Sequence, residues 1–118
     1  NPTVVKYCIE RGVPVTPGTA NPSDIEVALS LGLKTVKFFP AEAAGGIKYI
    51  KSIAAPYGDI TFMPTGGVNA ANVKEYIDAP FIHAVGGSWV CPKADIAAGN
   101  FDKITALCKE ARTAAFGE

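Results

Sequence analysis

The order of apolar segments predicts an α/β fold built on a parallel sheet. Helix-like and strand-like runs alternate along the 118 residues at a spacing of roughly 20–25, the rhythm of right-handed β/α units. Two of the helix-like runs carry the same punctuation, Asn-Pro at the start and Gly at the end. Asn is a good N-cap, Pro suits the first helical position, and Gly suits the residue just past the last turn.

Asn1-Pro2 opens a helix closed by Gly12, with Val4, Val5, Cys8 and Ile9 at helical spacing. Val13-Pro14-Val15-Thr16 follows as the first strand. Asn21-Pro22 opens a second helix closed by Gly32, carrying Ile25, Ala28, Leu29 and Leu31, and leads into a strand from Leu33 to Phe39. Ile47, Ile50, Ile53 and Ala54 mark a third helix, with Lys48 and Lys51 on its wet side. Asp59 to Met63 is the third strand, and Asn69 caps a fourth helix with Val73, Tyr76 and Ile77. Phe81 to Val85 is expected as a fourth strand. Asn100 opens the last helix, where Phe101, Ile104, Leu107, Cys108, Ala111 and Ala115 form one apolar stripe. Two folds fit this order, a small doubly wound sheet or part of a (β/α)8 barrel. A complete barrel takes about 250 residues, so four strands would be half of one.

Composition narrows the function. Hydrophobic residues make up 48% and charged residues 19%, with zero formal net charge; no electrostatic footprint points to nucleic acid. Every apolar run is far shorter than the roughly 20 residues that span a bilayer, so no membrane partner is expected. Cys8, Cys91 and Cys108 are widely separated, no C-x-x-C occurs, and His83 is the only histidine. A disulfide framework or zinc site is not expected, and a reducing cytosol fits. No signal peptide is visible; the chain opens on Asn1 rather than Met and reads as processed or partial.

Lys37 is the most informative residue. It interrupts the apolar strand Thr35-Val36-Lys37-Phe38-Phe39 that Pro40 closes, and burying an unpartnered ammonium is costly. Alternation puts Thr35, Lys37 and Phe39 on one face and Val36 and Phe38 on the other. A buried lysine has its pKa pushed below about 10.4 by desolvation, which supplies the neutral amine that attacks a ketone to form a Schiff base. The blander reading is a lysine that snorkels to water from a strand edge.

Two glycine pairs follow the next two strands, Thr65-Gly66-Gly67 and Gly86-Gly87-Ser88. Glycine lets backbone N–H groups approach an anion closely, and two such loops at equivalent places suit phosphate better than a single turn would. Pro17-Gly18-Thr19 shapes the substrate mouth or is a plain turn. Glu42 is an acid/base candidate beside Lys37, against the commoner reading of a solvated loop carboxylate. His83 and Trp89 are read as packing residues, and Cys91 lies near the mouth without a base to mark it as a nucleophile.

Val36-Lys37-Phe38-Phe39-Pro40-Ala41-Glu42, Pro64-Thr65-Gly66-Gly67 and Gly86-Gly87-Ser88-Trp89 resemble the 2-keto-3-deoxy-6-phosphogluconate (KDPG) and 4-hydroxy-2-oxoglutarate aldolases over essentially the whole chain. The resemblance implies the C-terminal half of a (β/α)8 barrel, strands five to eight, with residues 1–118 forming one domain that lacks its N-terminal half. It implies Lys37 as the imine-forming lysine on strand six. Gly66, Gly67, Gly86, Gly87 and Ser88 would hold the substrate phosphate, and Thr65, Phe39 and Pro17 would meet the keto acid. The implied reaction is cleavage to pyruvate and glyceraldehyde 3-phosphate by a cytoplasmic homotrimer that needs no cofactor. The family's acid/base glutamate and carboxylate-binding arginine have no counterpart here. Competing readings are a phosphate-binding barrel synthase or isomerase, such as thiamine-phosphate synthase, and a non-catalytic half-barrel fragment.

Overall fold

A computed structural model describes residues 1–117. Helix α1 spans Pro2–Glu10, strand β1 Gly18–Thr19, α2 Pro22–Ser30, β2 Thr35–Phe38, α3 Gly46–Ala54 and β3 Thr61–Pro64. Helix α4 spans Val73–Ile77, a 3-10 turn Ser88–Val90, α5 Lys93–Ala97 and α6 Phe101–Phe116. The Asn-Pro starts behave as expected. The Asn1 side chain accepts from Thr3 N at 3.0 Å and that of Asn21 from Asp24 N at 3.0 Å, supplying acceptors to otherwise orphaned first-turn amides.

The sheet is parallel, with three strands in the order β1-β2-β3. Gly18 pairs with Lys37, Lys37 with Met63, and Phe38 with Pro64. Residues 36, 38, 62 and 64 point to the covered face, where Val36, Phe38 and Phe62 lie with Ile25, Ile50 and Tyr76, all fully buried. The Phe38 and Phe62 rings meet edge to face at 6.4 Å, a favoured aromatic geometry. The other face, carrying Thr35, Lys37, Thr61 and Met63, is only partly covered.

This architecture corrects the expected half of a (β/α)8 barrel with strands five to eight. The described residues form a small open three-stranded sheet with helices, and no fourth strand extends it. Phe81–Val85 reaches β3 only through a single bridge between Phe62 and Ile82. The cause is a register slip. His83 N donates to Phe62 O at 2.9 Å, but the next bond, to Pro64 O, comes from Gly86 rather than Val85, at 3.1 Å. Three residues on one side therefore match two on the other, as in a bulge, and the ladder breaks. Pro64 also has no N–H to offer.

Three local expectations shift as well. The first strand lies at Gly18–Thr19, past Pro14 and Pro17, neither of which can donate to a ladder. Asn69 organises a turn rather than a helix: its side chain accepts from Ala71 N at 2.9 Å, its own N–H donates to Asn72 Oδ1 at 2.8 Å, and α4 begins only at Val73. Asn100 precedes α6 as expected, but its amide donates to Asp95 Oδ1 at 3.1 Å instead of capping.

Asp95 is buried and also receives the Lys103 ammonium at 2.9 Å. The Lys103 hydrogen bond, then that of Asn100, holds its carboxyl below the usual carboxylate range. A depressed folded value contributes stability above the unfolded value of about 3.9, and that contribution is lost as pH falls through the folded one. Thermal unfolding midpoints measured across acidic pH are expected to fall less steeply in Asp95→Asn than in the parent; equal slopes would contradict this.

Candidate active site

Lys37 occupies the penultimate position of β2 and projects from the open face of the sheet, opposite to Val36 and Phe38. It was expected to be buried; it is half-buried instead, because this face of the sheet is only partly covered. Its neighbours across the ladder are Gly18 and Met63. Pro17 is placed alongside, its carbonyl accepting from Lys37 N at 2.9 Å. The Lys37 ammonium sits 5.1 Å from the centre of the Phe39 ring, a cation–π arrangement. Among the described residues, Lys37 has no carboxylate in ion-pair contact.

The Phe39 ring connects the lysine to the first glycine pair. A Cβ on Gly66 would lie 3.1 Å from that ring, and Gly66 and Gly67 adopt φ of +94° and +83°, conformations that L side chains disfavour. This loop is fastened to the end of β2 by Ala41 N to Thr65 O at 2.8 Å and Glu42 N to Gly66 O at 3.0 Å.

The second pair is glycine for a different reason. Neither Gly86 nor Gly87 is left-handed. A Cβ on Gly86 would sit 2.8 Å from the Thr65 methyl, and one on Gly87 would overlap the Trp89 ring at 1.9 Å. Gly86 N donates to Pro64 O, so both glycine pairs lie at the carboxyl end of β3. Among the described residues, the amides of Gly66, Gly67 and Gly87 donate to no protein acceptor. Ser88, exposed, begins the 3-10 turn beyond them.

Between the two pairs lies Thr65, whose hydroxyl oxygen is buried without a hydrogen-bond partner. Buried polar atoms are nearly always satisfied, so an orphaned hydroxyl at a cluster of free amides marks a place that takes a polar ligand or water. Lys37, Phe39, Thr65 and the glycines thus form one continuous patch, with Pro17 at its edge.

Other candidates fall outside it. Glu42 does not turn to Lys37; its Oε1 accepts from the Tyr76 hydroxyl. His83 is exposed rather than packed, while Trp89 packs half-buried against the core. Cys91 is exposed and free. No cluster of three or more potential metal ligands occurs among the described residues. A groove of about 820 Å³ between α3 and α4, past Lys51, Tyr57 and Phe81, includes none of the predicted site residues.

Comparison with known proteins fits this arrangement. Residues 1–107 match the family model for KDPG and KHG aldolase. The chain is 47% identical over 110 residues to 2-dehydro-3-deoxy-phosphogluconate aldolase of Haemophilus influenzae, covering 93% of this chain and 52% of that protein. A KDPG aldolase structure from Legionella pneumophila, with pyruvate captured as a covalent carbinolamine intermediate, superposes with a TM-score of 0.78 at 43% identity, over 81% of this chain and 47% of that one. The Zymomonas mobilis aldolase solved with 3-phosphoglycerate gives 0.85 at 41% identity, over 94% and 52%. The chain spans about half the length of these relatives. With the family model covering most of its length, the chain belongs to the KDPG and KHG aldolase family.

Proposed function

We propose that this chain carries the imine-forming and phosphate-binding part of a class I aldolase. The supporting observation is the patch itself: an amine on an open sheet face, linked through one aromatic ring to a loop of unpaired backbone amides. The Lys37 amine, in its unprotonated form, attacks C2 of a 2-keto acid; loss of water gives the imine. The protonated imine is an electron sink. As the C4 hydroxyl loses its proton the C3–C4 bond breaks, an aldehyde leaves, and the remaining enamine takes a proton at C3 before water releases pyruvate. Thr65 would bond the keto acid and Phe39 and Pro17 would flank it; Gly66, Gly67 and Gly87 would offer amides and Ser88 its hydroxyl to the phosphate, while Gly86, its own amide bonded to Pro64 O, would hold that loop close to it. No step calls for a cofactor.

The substrate this favours is 2-keto-3-deoxy-6-phosphogluconate, yielding pyruvate and glyceraldehyde 3-phosphate, with 4-hydroxy-2-oxoglutarate as a second substrate. A homotrimer working in the cytoplasm completes the reading.

Removing the substrate phosphate tests it. Hydrogen bonds to a charged group contribute about 1.5–3 kcal/mol each, so with the loss of even one of them kcat/KM for the unphosphorylated sugar acid is expected to be at least about 10-fold lower. Coupled assay of pyruvate release compares the two acids. Equal values would refute phosphate binding by the glycine loops.

A further inference from the structure

The buried hydroxyl of Tyr76 and the carboxylate of Glu42 are used by none of the steps above, yet they meet directly beneath the first glycine loop. Tyr76 is fully buried on α4 and donates to Glu42 Oε1. Burial, then the Glu42 hydrogen bond, raises its pKa well above the ordinary tyrosine value, which keeps it a donor. The Glu42 stem lies against Gly67, where a Cβ would come within 2.6 Å of Glu42 Cβ. Its backbone N–H holds Gly66 O at 3.0 Å. Gly46, the first residue of α3, presses on the same junction: a Cβ there would sit 3.2 Å from Glu42 Oε1 and 3.5 Å from the Tyr76 hydroxyl.

We infer that the Tyr76–Glu42 pair is a positioning strut that sets the Gly66-Gly67 amides for a phosphoryl group. The inference rests on the phosphate role proposed above for that loop. The physical reason is geometric. Left-handed glycines are free to sample many conformations, and aiming two amides at one anion requires that this freedom be removed. One side of the loop is covered by Phe39 and the other by the Glu42 stem. The Glu42 rotamer is in turn fixed by a hydroxyl from a separate helix, through a residue that touches no substrate.

Tyr76→Phe removes only the hydroxyl. Glu42→Gln keeps an acceptor oxygen, whereas Glu42→Ala removes acceptor and stem. Borohydride trapping on the full chain, titrated once with pyruvate and once with 2-keto-3-deoxy-6-phosphogluconate, separates the possibilities. In Tyr76→Phe the half-saturating concentration is expected to rise about 10-fold for the phosphorylated acid and less than 2-fold for pyruvate. Glu42→Gln should stay near the parent and Glu42→Ala should resemble Tyr76→Phe. Hydrogen exchange of the Ala41 and Glu42 amides, which bond the loop carbonyls of Thr65 and Gly66, should quicken in Tyr76→Phe while β2 stays protected. Equal rises for both ligands would reduce the pair to general structural support, and no change in either trapping or exchange would overturn the strut. A parent chain that traps pyruvate but shows no preference for the phosphorylated acid would refute the phosphate reading itself, and is thereby distinguished from failure of the strut.

Discussion

Lys37→Arg is expected to abolish aldol cleavage while leaving the fold intact. Arginine keeps the positive charge and the long stem, and it can still lie over the Phe39 ring, now 5.1 Å from the lysine ammonium. It cannot lose its proton near neutral pH and forms no imine with a ketone. The variant therefore separates two roles for the cation. If Lys37 acted only as a charge that attracts the keto acid, arginine would retain much of the activity; if it is the nucleophile, nothing measurable remains. Because Lys37 is half-buried on a face that is only partly covered, the larger head group meets little resistance. Unfolding free energies of parent and variant from urea titration should agree within about 0.5 kcal/mol, the usual range for surface changes, while pyruvate release falls to background.

Phe62→Ala is expected to cost about 3–5 kcal/mol of folding stability. Phe62 is fully buried, meets Phe38 edge to face, and holds the segment after α4 through backbone bonds to Phe81 and His83 at 2.9 Å each. Truncation leaves a cavity at the centre of the covered face, and the sheet has few other contacts with which to collapse around it. Against a total of about 5–15 kcal/mol for a small domain, this is at least about a fifth of the margin. Phe101, 64% exposed on α6, provides the comparison: its alanine variant should change stability by less than about 0.5 kcal/mol. Urea unfolding of both variants measures the difference, and similar losses at the two positions would contradict the assigned core.

What the sequence revealed of this molecule was local. The alternation of Thr35 to Phe39 correctly separated Lys37 from Val36 and Phe38, because a strand's period of two depends on neighbouring residues alone. The Asn1 and Asn21 caps were legible for the same reason. Long-range matters were not. Whether Phe81–Val85 joins the sheet depends on its register against Phe62 and Pro64, and one extra residue before Gly86 breaks the ladder. No apolar pattern records that slip, so four strands were expected where three exist. The burial read into Lys37 likewise followed from its apolar strand neighbours, and a face that is only partly covered leaves it half-buried.

At the site, glycine pairs were easy to find but their reasons were not. Gly66 and Gly67 need left-handed backbone, whereas Gly86 and Gly87 need empty space beside Thr65 and Trp89. Glu42 was read as a companion of Lys37 because it is near in sequence. Its actual partner, Tyr76, lies 34 residues away, and only the packing of α4 under the loop brings them together. The knot of Asp95, Asn100 and Lys103 was missed because α5 is a single short turn with little periodicity.

Peptide mapping after borohydride reduction with pyruvate tests the central claim most directly. The chain has nine lysines, several of them more exposed than Lys37. Imine chemistry at the β2 amine predicts a reduced pyruvyl adduct on Lys37 alone, blocked by excess phosphorylated keto acid. An adduct spread over surface lysines, or placed on Lys34 instead, or none at all, would contradict it.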